Sequence, residues 1–407
     1  MYHPRAISDS LHSASKQFPV VLLTGPRQVG KTTLLQRLAG KERRYVTLDD
    51  PLTRELARND PALFLQRYEP PVLIDEIQYA PQLLPLIKMA VDGKRKRGLF
   101  WLTGSQQFHL MKGVSETLAG RVAIMSLLGF SSRERRRRDL DLPPFLPTPE
   151  VLDQREASAP KLTLKRVYAD IWLGGFPALV TKQVQDRDLF YSSYLQTYLQ
   201  RDVKDLAQVG DETRFVRFLK ACAARTGQLL NITDLARDAD VAVNTAKNWL
   251  SVLEASLQVY LLQPYHSNIT KRLVKTPKLY FLDTGLCAYL TGWSSPETLE
   301  PGAMGGAILE TYVVAEVLKS WWNQGKQPPI YYYRDKDGKE IDLLFVQDRG
   351  IHPVEIKKSA APRREWAGQF SVLDRLKPRW TAGGFVCLAR ERLPLIEKVS
   401  VIPVGLL

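Results

Sequence analysis

The stretch that most constrains the fold of this chain is residues 25–32, GPRQVGKT, which fits the pattern GxxxxGK[ST]. It follows an apolar run at residues 20–23 and precedes leucines at helical spacing. In this context, between a strand and a helix, GxxxxGK[ST] forms a phosphate-binding loop. Glycines allow backbone N–H groups to wrap a phosphate, and the following helix presents its positive N-terminal end. Lys31 would reach the β- and γ-phosphate oxygens, and the hydroxyl of Thr32 would bind Mg²⁺. The residues predicted to bind ATP are Gly25, Pro26, Arg27, Gln28, Val29, Gly30, Lys31, Thr32 and Thr33.

Two acidic residues end another apolar run, VLIDE at residues 72–76. Next to a phosphate-binding loop, Asp75 would hold Mg²⁺ through water and Glu76 would polarise the attacking water. The alternative is a pair of surface acids at a strand end. We therefore predict ATP hydrolysis, with ATP and Mg²⁺ as ligands and with Lys31 and Glu76 as catalytic residues.

Two further residues are candidates for contact with the γ-phosphate. Ser105 follows the apolar run at residues 99–102, which would place it beside the acids as a γ-phosphate sensor; a simple turn is the alternative. Arg121 could stabilise transition-state charge, in its own chain or in a neighbouring subunit. The second arrangement would require a homo-oligomer.

Composition narrows the class of protein. The 407 residues exceed what one core holds, and 44% hydrophobic with 25% charged residues is typical of a globular protein. A formal charge of +14 favours a polyanionic partner such as DNA, although basic proteins without one are common. The three cysteines are far apart and predict no disulfide framework. The chain shows neither a signal-peptide pattern nor an apolar run long enough for a membrane, which predicts a cytoplasmic protein with no membrane partner.

The first 130 residues alternate apolar runs with helical patterns, which predicts a parallel sheet with crossover helices. The predicted strands are at residues 20–23, 45–48, 72–74, 99–103 and 122–127.

A family resemblance extends over nearly the whole chain. The runs GPRQVGKTTL, LDDP, LIDEIQYAP, LTGSQ and LAGRV resemble those of the prokaryotic AAA-type ATPases that carry a C-terminal domain of unknown function, DUF4143. The resemblance continues through GGFP at residues 174–177, YLQRDV at 198–203 and DTGL at 283–286. These later motifs recur in the family without an assigned chemistry. We interpret them as structural, with Gly285 serving a turn.

The middle of the chain resembles a winged helix. A first helix would begin near Thr233 as its N-cap, and a second near Asn244. The second helix could enter a DNA major groove with Asn244, Thr245, Lys247 and Asn248, and Lys271, Arg272 and Lys275 would form a basic wing. The alternative is a spacer that contacts only protein.

The last hundred residues place acids and a lysine on two predicted strands joined by a hairpin. Asp342 lies on one strand, and Glu355 and Lys357 share a face of the next. Acids that hold Mg²⁺ or Mn²⁺ beside a lysine are suited to phosphodiester cleavage, with Glu310 on the preceding helix as a further ligand. This order resembles the PD-(D/E)xK nuclease superfamily, which implies the catalytic residues Glu355 and Lys357 and the metal ligands Glu310, Asp342 and Glu355. The alternative is a domain that keeps the fold for binding only.

The predicted architecture is α/β: an N-terminal P-loop AAA-type ATPase domain, a central helical and winged-helix region, and a C-terminal PD-(D/E)xK-like domain. The predicted boundaries are 1–130 for the ATPase domain, 131–163 for a basic, proline-rich linker or insertion, 164–213 for a helical lid-like segment, 214–275 for the winged helix and 276–407 for the nuclease-like domain. The predicted function is ATP-dependent DNA processing. The alternatives are an ATPase that remodels DNA junctions or translocates on DNA, and a nucleotide-controlled regulator that binds proteins and does not cut.

Overall fold

A computed structural model describes residues 2–94, 96–104, 113–114, 116–198, 212–266, 276–347, 350–374, 376 and 379–407. These residues form three β-sheets, which have five, three and six strands. No helix within the described ranges combines the length and the apolar character needed to cross a lipid bilayer.

The N-terminal domain is built on a parallel sheet in the order β2-β3-β4-β1-β5. Its strands are β1 (Val20–Thr24), β2 (Arg44–Thr47), β3 (Val72–Asp75), β4 (Phe100–Gly104) and β5 (Val122–Ser126). Its helices are α1 (Ser8–Gln17), α2 (Lys31–Ala39), α3 (Pro51–Asn59), α4 (Pro61–Arg67) and α5 (Leu83–Lys94). Strands β1, β3 and β4 are buried along their whole length, because helices cover both faces of a parallel sheet. The predicted parallel sheet is confirmed.

The basic run after β5 packs against the protein itself. Helix α6 (Ser132–Arg136) is followed by α7 (Pro149–Glu156). The buried Arg133 donates to the backbone oxygens of Leu407 and Arg155, at 3.1 Å each. Arg135 and Arg136 form ion pairs with the buried Asp170. These arginines are therefore structural groups.

The middle of the chain is helical and ends in a small antiparallel sheet. It contains α8 (Leu164–Leu173), α9 (Pro177–Val180), α10 (Arg187–Tyr198), α11 (Glu212–Ala224), β6 (Gln228–Leu229), α12 (Ile232–Asp238), α13 (Val243–Ala255), β7 (Val259–Leu262) and β8 (Lys278–Phe281). Strand β8 pairs with both β6 and β7. It therefore belongs to the middle sheet, although the boundary predicted at residue 276 assigns it to the C-terminal domain.

The cap of α12 differs from the prediction. The side chain of Asn231 accepts hydrogen bonds from the N–H groups of Thr233 and Asp234, both at 3.2 Å. The helix begins at Ile232, so the prediction of Thr233 as its N-cap is wrong. Asparagine and threonine are both good N-caps, and the sequence pattern alone does not distinguish them.

The C-terminal domain is a six-stranded mixed sheet packed on a long buried helix. Its helices are α14 (Thr284–Leu290), α15 (Pro296–Leu299) and α16 (Gly305–Trp322). Its strands are β9 (Ile330–Arg334), β10 (Glu340–Gln347), β11 (Gly350–Lys357), β12 (Gly383–Cys387), β13 (Leu393–Ile396) and β14 (Val399–Pro403), in the order β13-β14-β12-β11-β10-β9. One apolar core joins the parts, because Val21, Tyr191, Trp249, Val314 and Leu343 belong to the same cluster of buried residues.

Candidate functional site

The loop at residues 25–30 connects β1 to α2 in a conformation that requires glycine at both ends. Gly30, the residue before α2, has a φ of 89° in the left-handed region. A Cβ at Gly25 would lie 2.1 Å from the backbone oxygen of Leu127, so a larger residue would collide with the segment that follows β5. The N–H groups at the start of α2 therefore face the loop, which suits an anion.

Lys31 and Thr32 lie in the first turn of α2, beside the predicted acid of β3. The Nζ of the buried Lys31 donates to the backbone oxygens of Gly25 and Pro26, at 2.9 and 2.8 Å. The Thr32 hydroxyl contacts both carboxylate oxygens of Asp75, at 2.9 and 3.1 Å. A hydroxyl beside a carboxylate next to a phosphate loop is the set of oxygen ligands that Mg²⁺ takes. The residues present fit both ATP and Mg²⁺.

Two groups that the sequence analysis missed orient the acids. The Thr103 hydroxyl, at the end of β4, donates to Asp75 and accepts from the backbone N–H of Glu76 at 3.0 Å. Tyr45 donates to Asp75 at 3.1 Å. Burial, and then the Asp75 charge, raises the pKa of Tyr45 to about 12, so Tyr45 remains a donor at neutral pH. The signal for Thr103 was its place in the LTGSQ run, two residues before the predicted sensor Ser105.

A buried ion pair between Arg5 and Glu134 holds the phosphate-binding loop in place. Arg5 contacts Glu134 at 3.0 Å and donates to the backbone oxygens of Val29 at 2.9 Å and Leu128 at 2.7 Å. Glu134 also accepts from the N–H groups of Ala6 and Ser131. Burial disfavours the charged carboxylate, but the Arg5 guanidinium and these amides outweigh it and hold the pKa of Glu134 below its usual range.

We expect the Arg5–Glu134 pair to lose its stabilising effect in acid. The pKa of Glu134 is lower in the folded chain than in the unfolded chain, so the pair stabilises the fold above the unfolded pKa, and this contribution disappears as pH falls through the folded pKa. Glu134→Gln should therefore melt below the wild type near neutral pH and approach it as pH falls below about 4.3, the pKa of an unperturbed glutamate. Thermal melts over this range measure the effect, with the exposed Glu156→Gln as control. Parallel curves for wild type and Glu134→Gln would contradict it.

The GGFP motif lies directly against the loop. A Cβ at Gly30 would lie 3.9 Å from the Pro177 ring, and the backbone N–H of Phe130 donates to Gly175 at 2.7 Å. The Gly175 N–H in turn donates to Asp283, at 2.7 Å. The motifs at residues 174–177 and 283–286 are thus one structural unit beside the phosphate loop.

Gly285 lies inside helix α14, so the interpretation of this residue as a turn is wrong. A Cβ there would lie 2.2 Å from the Tyr191 hydroxyl and 2.6 Å from the Cα of Gly174. Glycine is required because two backbone segments approach closely at this point.

The C-terminal acids and lysine do come together. The Lys357 ammonium contacts Glu355 at 2.9 Å. The backbone N–H of Asp342 donates to Glu355 at 3.2 Å, and the N–H of Ile356 donates to Asp342 at 2.8 Å. Strands β10 and β11 therefore hold the two carboxylates through each other's backbone. Burial, then the charges of Glu310 and Glu355, raises the pKa of Asp342 well above its usual range.

A second lysine, missed by the sequence analysis, enters this cluster from β8. The Nζ of Lys278 lies 3.2 Å from Glu310 Oε1 and 3.9 Å from Asp342 Oδ1, and it also pairs with Glu340. Burial disfavours its charge, but Glu310, Asp342 and Glu340 together raise the pKa of Lys278 above its usual range. Lys278 is therefore a buried cation among three acids.

Comparisons with known proteins identify the family. Family profiles match residues 17–135 as an AAA domain, residues 165–297 as the domain of unknown function DUF8612 and residues 305–407 as DUF4143. Uncharacterised proteins of Mycobacterium bovis and Mycobacterium tuberculosis are each 31% identical over 395 residues, which is 97% of this chain and 82% of theirs. The chain belongs to this family of AAA-type ATPases with a C-terminal DUF4143 domain.

Two solved structures are among those similar to parts of this chain. A Walker-type ATPase of Pyrococcus abyssi has a TM-score of 0.43 and 17% identity, over 70% of this chain and 94% of that one. The Holliday junction branch migration motor RuvB of Thermotoga maritima has a TM-score of 0.30 and 19% identity, over 63% of this chain and 87% of that one.

Two residues of this AAA-type ATPase, Ser105 and Arg121, were predicted to contact the γ-phosphate. Ser105 lies outside the described residues. Arg121 precedes β5, where its backbone oxygen accepts from Val20, and its guanidinium binds Asp92 at 2.6 and 3.0 Å. The phosphate loop leaves the other end of the parallel strand β1, about 16 Å away at 3.3 Å per residue. The prediction that Arg121 serves its own chain's site is therefore wrong, and a role in a neighbouring subunit stays a prediction.

The predicted metal site of the DUF4143 domain also needs correction. Within the described ranges, no group of three or more His, Cys, Asp or Glu side chains is arranged to hold a metal ion. Glu310 and Asp342 face the ammonium group of Lys278, while Glu355 faces that of Lys357. The residues present do not fit Mg²⁺ or Mn²⁺ there, because the ammonium group of the buried Lys278 already pairs with two of the three predicted ligands, Glu310 and Asp342.

Proposed function

We propose that this AAA-type ATPase hydrolyses ATP at the loop of residues 25–33 and acts on DNA through helix α13. In this proposal the C-terminal domain binds and does not cut. The hydrogen-bonded pair of Thr32 and Asp75 beside Glu76 supports the hydrolytic half of the proposal. The single observation that supports the DNA half is the polar, exposed face of α13 at the end of a helix pair.

In the hydrolytic step, Lys31 and the N–H groups of the loop bind the β- and γ-phosphate oxygens. Glu76 accepts a hydrogen bond from the attacking water and orients it toward the γ-phosphorus. Thr32 and Asp75 would hold Mg²⁺, which would neutralise charge on the phosphates. Thr103 and Tyr45 keep the Asp75 carboxylate in place, because both donate to it.

Helix α13 belongs to a unit with the order α11, β6, α12, α13, β7, β8, which is that of a winged helix. One face of α13 is buried in the core through Ala246 and Trp249. The other face is exposed and carries Asn244, Lys247 and Asn248. In such a fold the second helix of the pair can enter the major groove. The formal charge of +14 adds attraction for phosphates. The predicted wing residues Lys271, Arg272 and Lys275 lie outside the described residues.

We expect Lys247→Ala to weaken DNA binding and to reduce the slope of log affinity against log salt by about 1, the loss of one phosphate contact. Fluorescence anisotropy with a labelled duplex at several salt concentrations measures both. Lys220→Ala is the matched control, because Lys220 is an exposed lysine on α11 of the same unit.

Equal effects of Lys247→Ala and Lys220→Ala would contradict a specific role for α13. Affinity that does not change with salt would favour the alternative of a regulator that binds proteins. ATPase rates with duplex and branched DNA would then separate general DNA binding from junction remodelling.

A further inference from the structure

The carboxylate cluster of the C-terminal domain receives two side chains from a different sheet. Lys278 and Tyr280 are two residues apart on β8, so they lie on the same face of that strand. Lys278 contacts Glu310 at 3.2 Å, and the Tyr280 hydroxyl donates to the same Oε1 atom at 2.5 Å. Strand β8 belongs to the middle sheet, whereas Glu310 lies on α16 of the C-terminal domain.

The ammonium group of Lys278 lies beside two of the predicted metal ligands, Glu310 and Asp342. An ion ligated by Glu310 Oε1 would be about 2.0–2.6 Å from that oxygen, and the Lys278 Nζ is 3.2 Å from the same atom. Ion and ammonium group would therefore lie within about 6 Å of each other in a poorly solvated site, where like charges repel strongly. Lys278 is enclosed as well, with the ring of Tyr332 centred 5.8 Å from its Nζ and 5% of its side chain exposed.

Each carboxylate of the cluster has a cation or a hydrogen-bond donor without a metal. Lys278 serves Glu310, Glu340 and Asp342, while Glu355 has Lys357 and the N–H of Asp342. Buried carboxylates are stable when each has a cation or a donor, and a buried charge is costly when its partner is removed. Entry of a divalent ion would require Lys278 to leave its partners.

We propose that Lys278 is a resident cation that replaces the metal of the nuclease-like site and turns the cluster into an ionic joint between the middle sheet and the C-terminal domain. The joint has its lysine on one side, in β8, and its acids on the other, in α16 and β10. The C-terminal domain accordingly binds no divalent ion at these acids and does not cleave phosphodiester bonds there.

Manganese binding to the full-length chain tests this directly. The background variant is Asp75→Asn, which removes a predicted Mg²⁺ ligand of the ATP site, and electron paramagnetic resonance counts bound Mn²⁺ in the absence of nucleotide. We expect no Mn²⁺ bound at the C-terminal acids up to about 1 mM, a concentration that fills weak oxygen-ligand sites. Adding Lys278→Met should create one Mn²⁺ site, with an affinity at least about tenfold higher than the limit of about 1 mM expected for the background variant. Adding Asp342→Asn to that variant should remove it.

Stability gives a second readout of the same variants. Lys278→Met removes the cation that pairs with Glu310 and Asp342, so the melting temperature of this variant should fall, and Mn²⁺ should restore it. Lys220→Met is the control, because Lys220 is exposed. The melting temperature of this variant should equal that of the background variant and should not rise when Mn²⁺ is added.

Two results would overturn the proposal. One is Mn²⁺ binding by the Asp75→Asn chain that is lost when Asp342→Asn is added, because the acids would then hold a metal beside Lys278. The other is Mn²⁺-dependent nicking of supercoiled DNA that disappears in the double variant Glu355→Ala, Lys357→Ala. Neither test uses Lys278→Met, so both decide the matter even if that variant does not fold.

Discussion

Glu76→Gln is expected to slow ATP hydrolysis by a factor of about 10²–10⁴, the range that a general base contributes, while ATP binding is retained. Glutamine has nearly the same shape as glutamate but cannot take a proton from water. The backbone of Glu76 is in the left-handed region, at a φ of 57°, and its N–H is held by Thr103, so the change leaves the main chain in place. Phosphate release measures the rate, and a fluorescent ATP analogue measures binding.

Two further variants complete this experiment. Lys31→Ala should lose ATP binding itself, because it removes the cation at the phosphates. Glu55→Gln, at an exposed glutamate on α3 of the same domain, should leave both rate and binding unchanged. A rate for Glu76→Gln close to that of Glu55→Gln would show that another group activates the water.

The ATP site was largely predictable because its parts are local. Parallel strands buried on both faces give continuous apolar runs, and the loop and the two acids directly follow such runs. The position of Arg121 could have been predicted from the same reasoning. It precedes its strand, and residues before a parallel strand lie at the opposite edge of the sheet from residues that follow one.

Other features could not be predicted because they depend on contacts that are distant in sequence. Arg5 contacts Val29, Leu128 and Glu134, which are 24, 123 and 129 positions away. Lys278 reaches Glu310 from another sheet, and nothing in the local pattern around it indicates a buried cation. Strands β12 to β14 were missed because they are short and have glycine or proline at or next to an end, at Gly383, Gly384, Pro394 and Pro403, where these residues usually indicate a turn.

The motifs GGFP and DTGL have no assigned catalytic role, but they form a structural unit that contacts the phosphate-binding loop. Asp283 accepts hydrogen bonds from Gly175 at 2.7 Å, from the Tyr191 hydroxyl at 2.9 Å and from Leu286 at 2.8 Å. Tyr191 is fully buried, and burial, then the Asp283 charge, raises its pKa well above the usual range, so it remains a donor. One carboxylate therefore joins α10, α14 and the segment that touches the phosphate loop.

Asp283→Ala is expected to lower the free energy of unfolding by about 2–4 kcal/mol, because the N–H of Gly175 would be buried without an acceptor and the helix cap at Leu286 would be lost, while the Tyr191 hydroxyl keeps only the backbone oxygen of Leu173 as an acceptor. Asp60→Ala is the matched control: Asp60 also caps a helix, accepting from Leu63 at 2.9 Å, but it is exposed and has no second element to hold. Its loss should cost about 1 kcal/mol, the usual value for an N-cap. Urea unfolding followed by tryptophan fluorescence compares the two. Equal losses would mean that Asp283 acts only as a helix cap, and that GGFP is held beside the ATP site by other contacts.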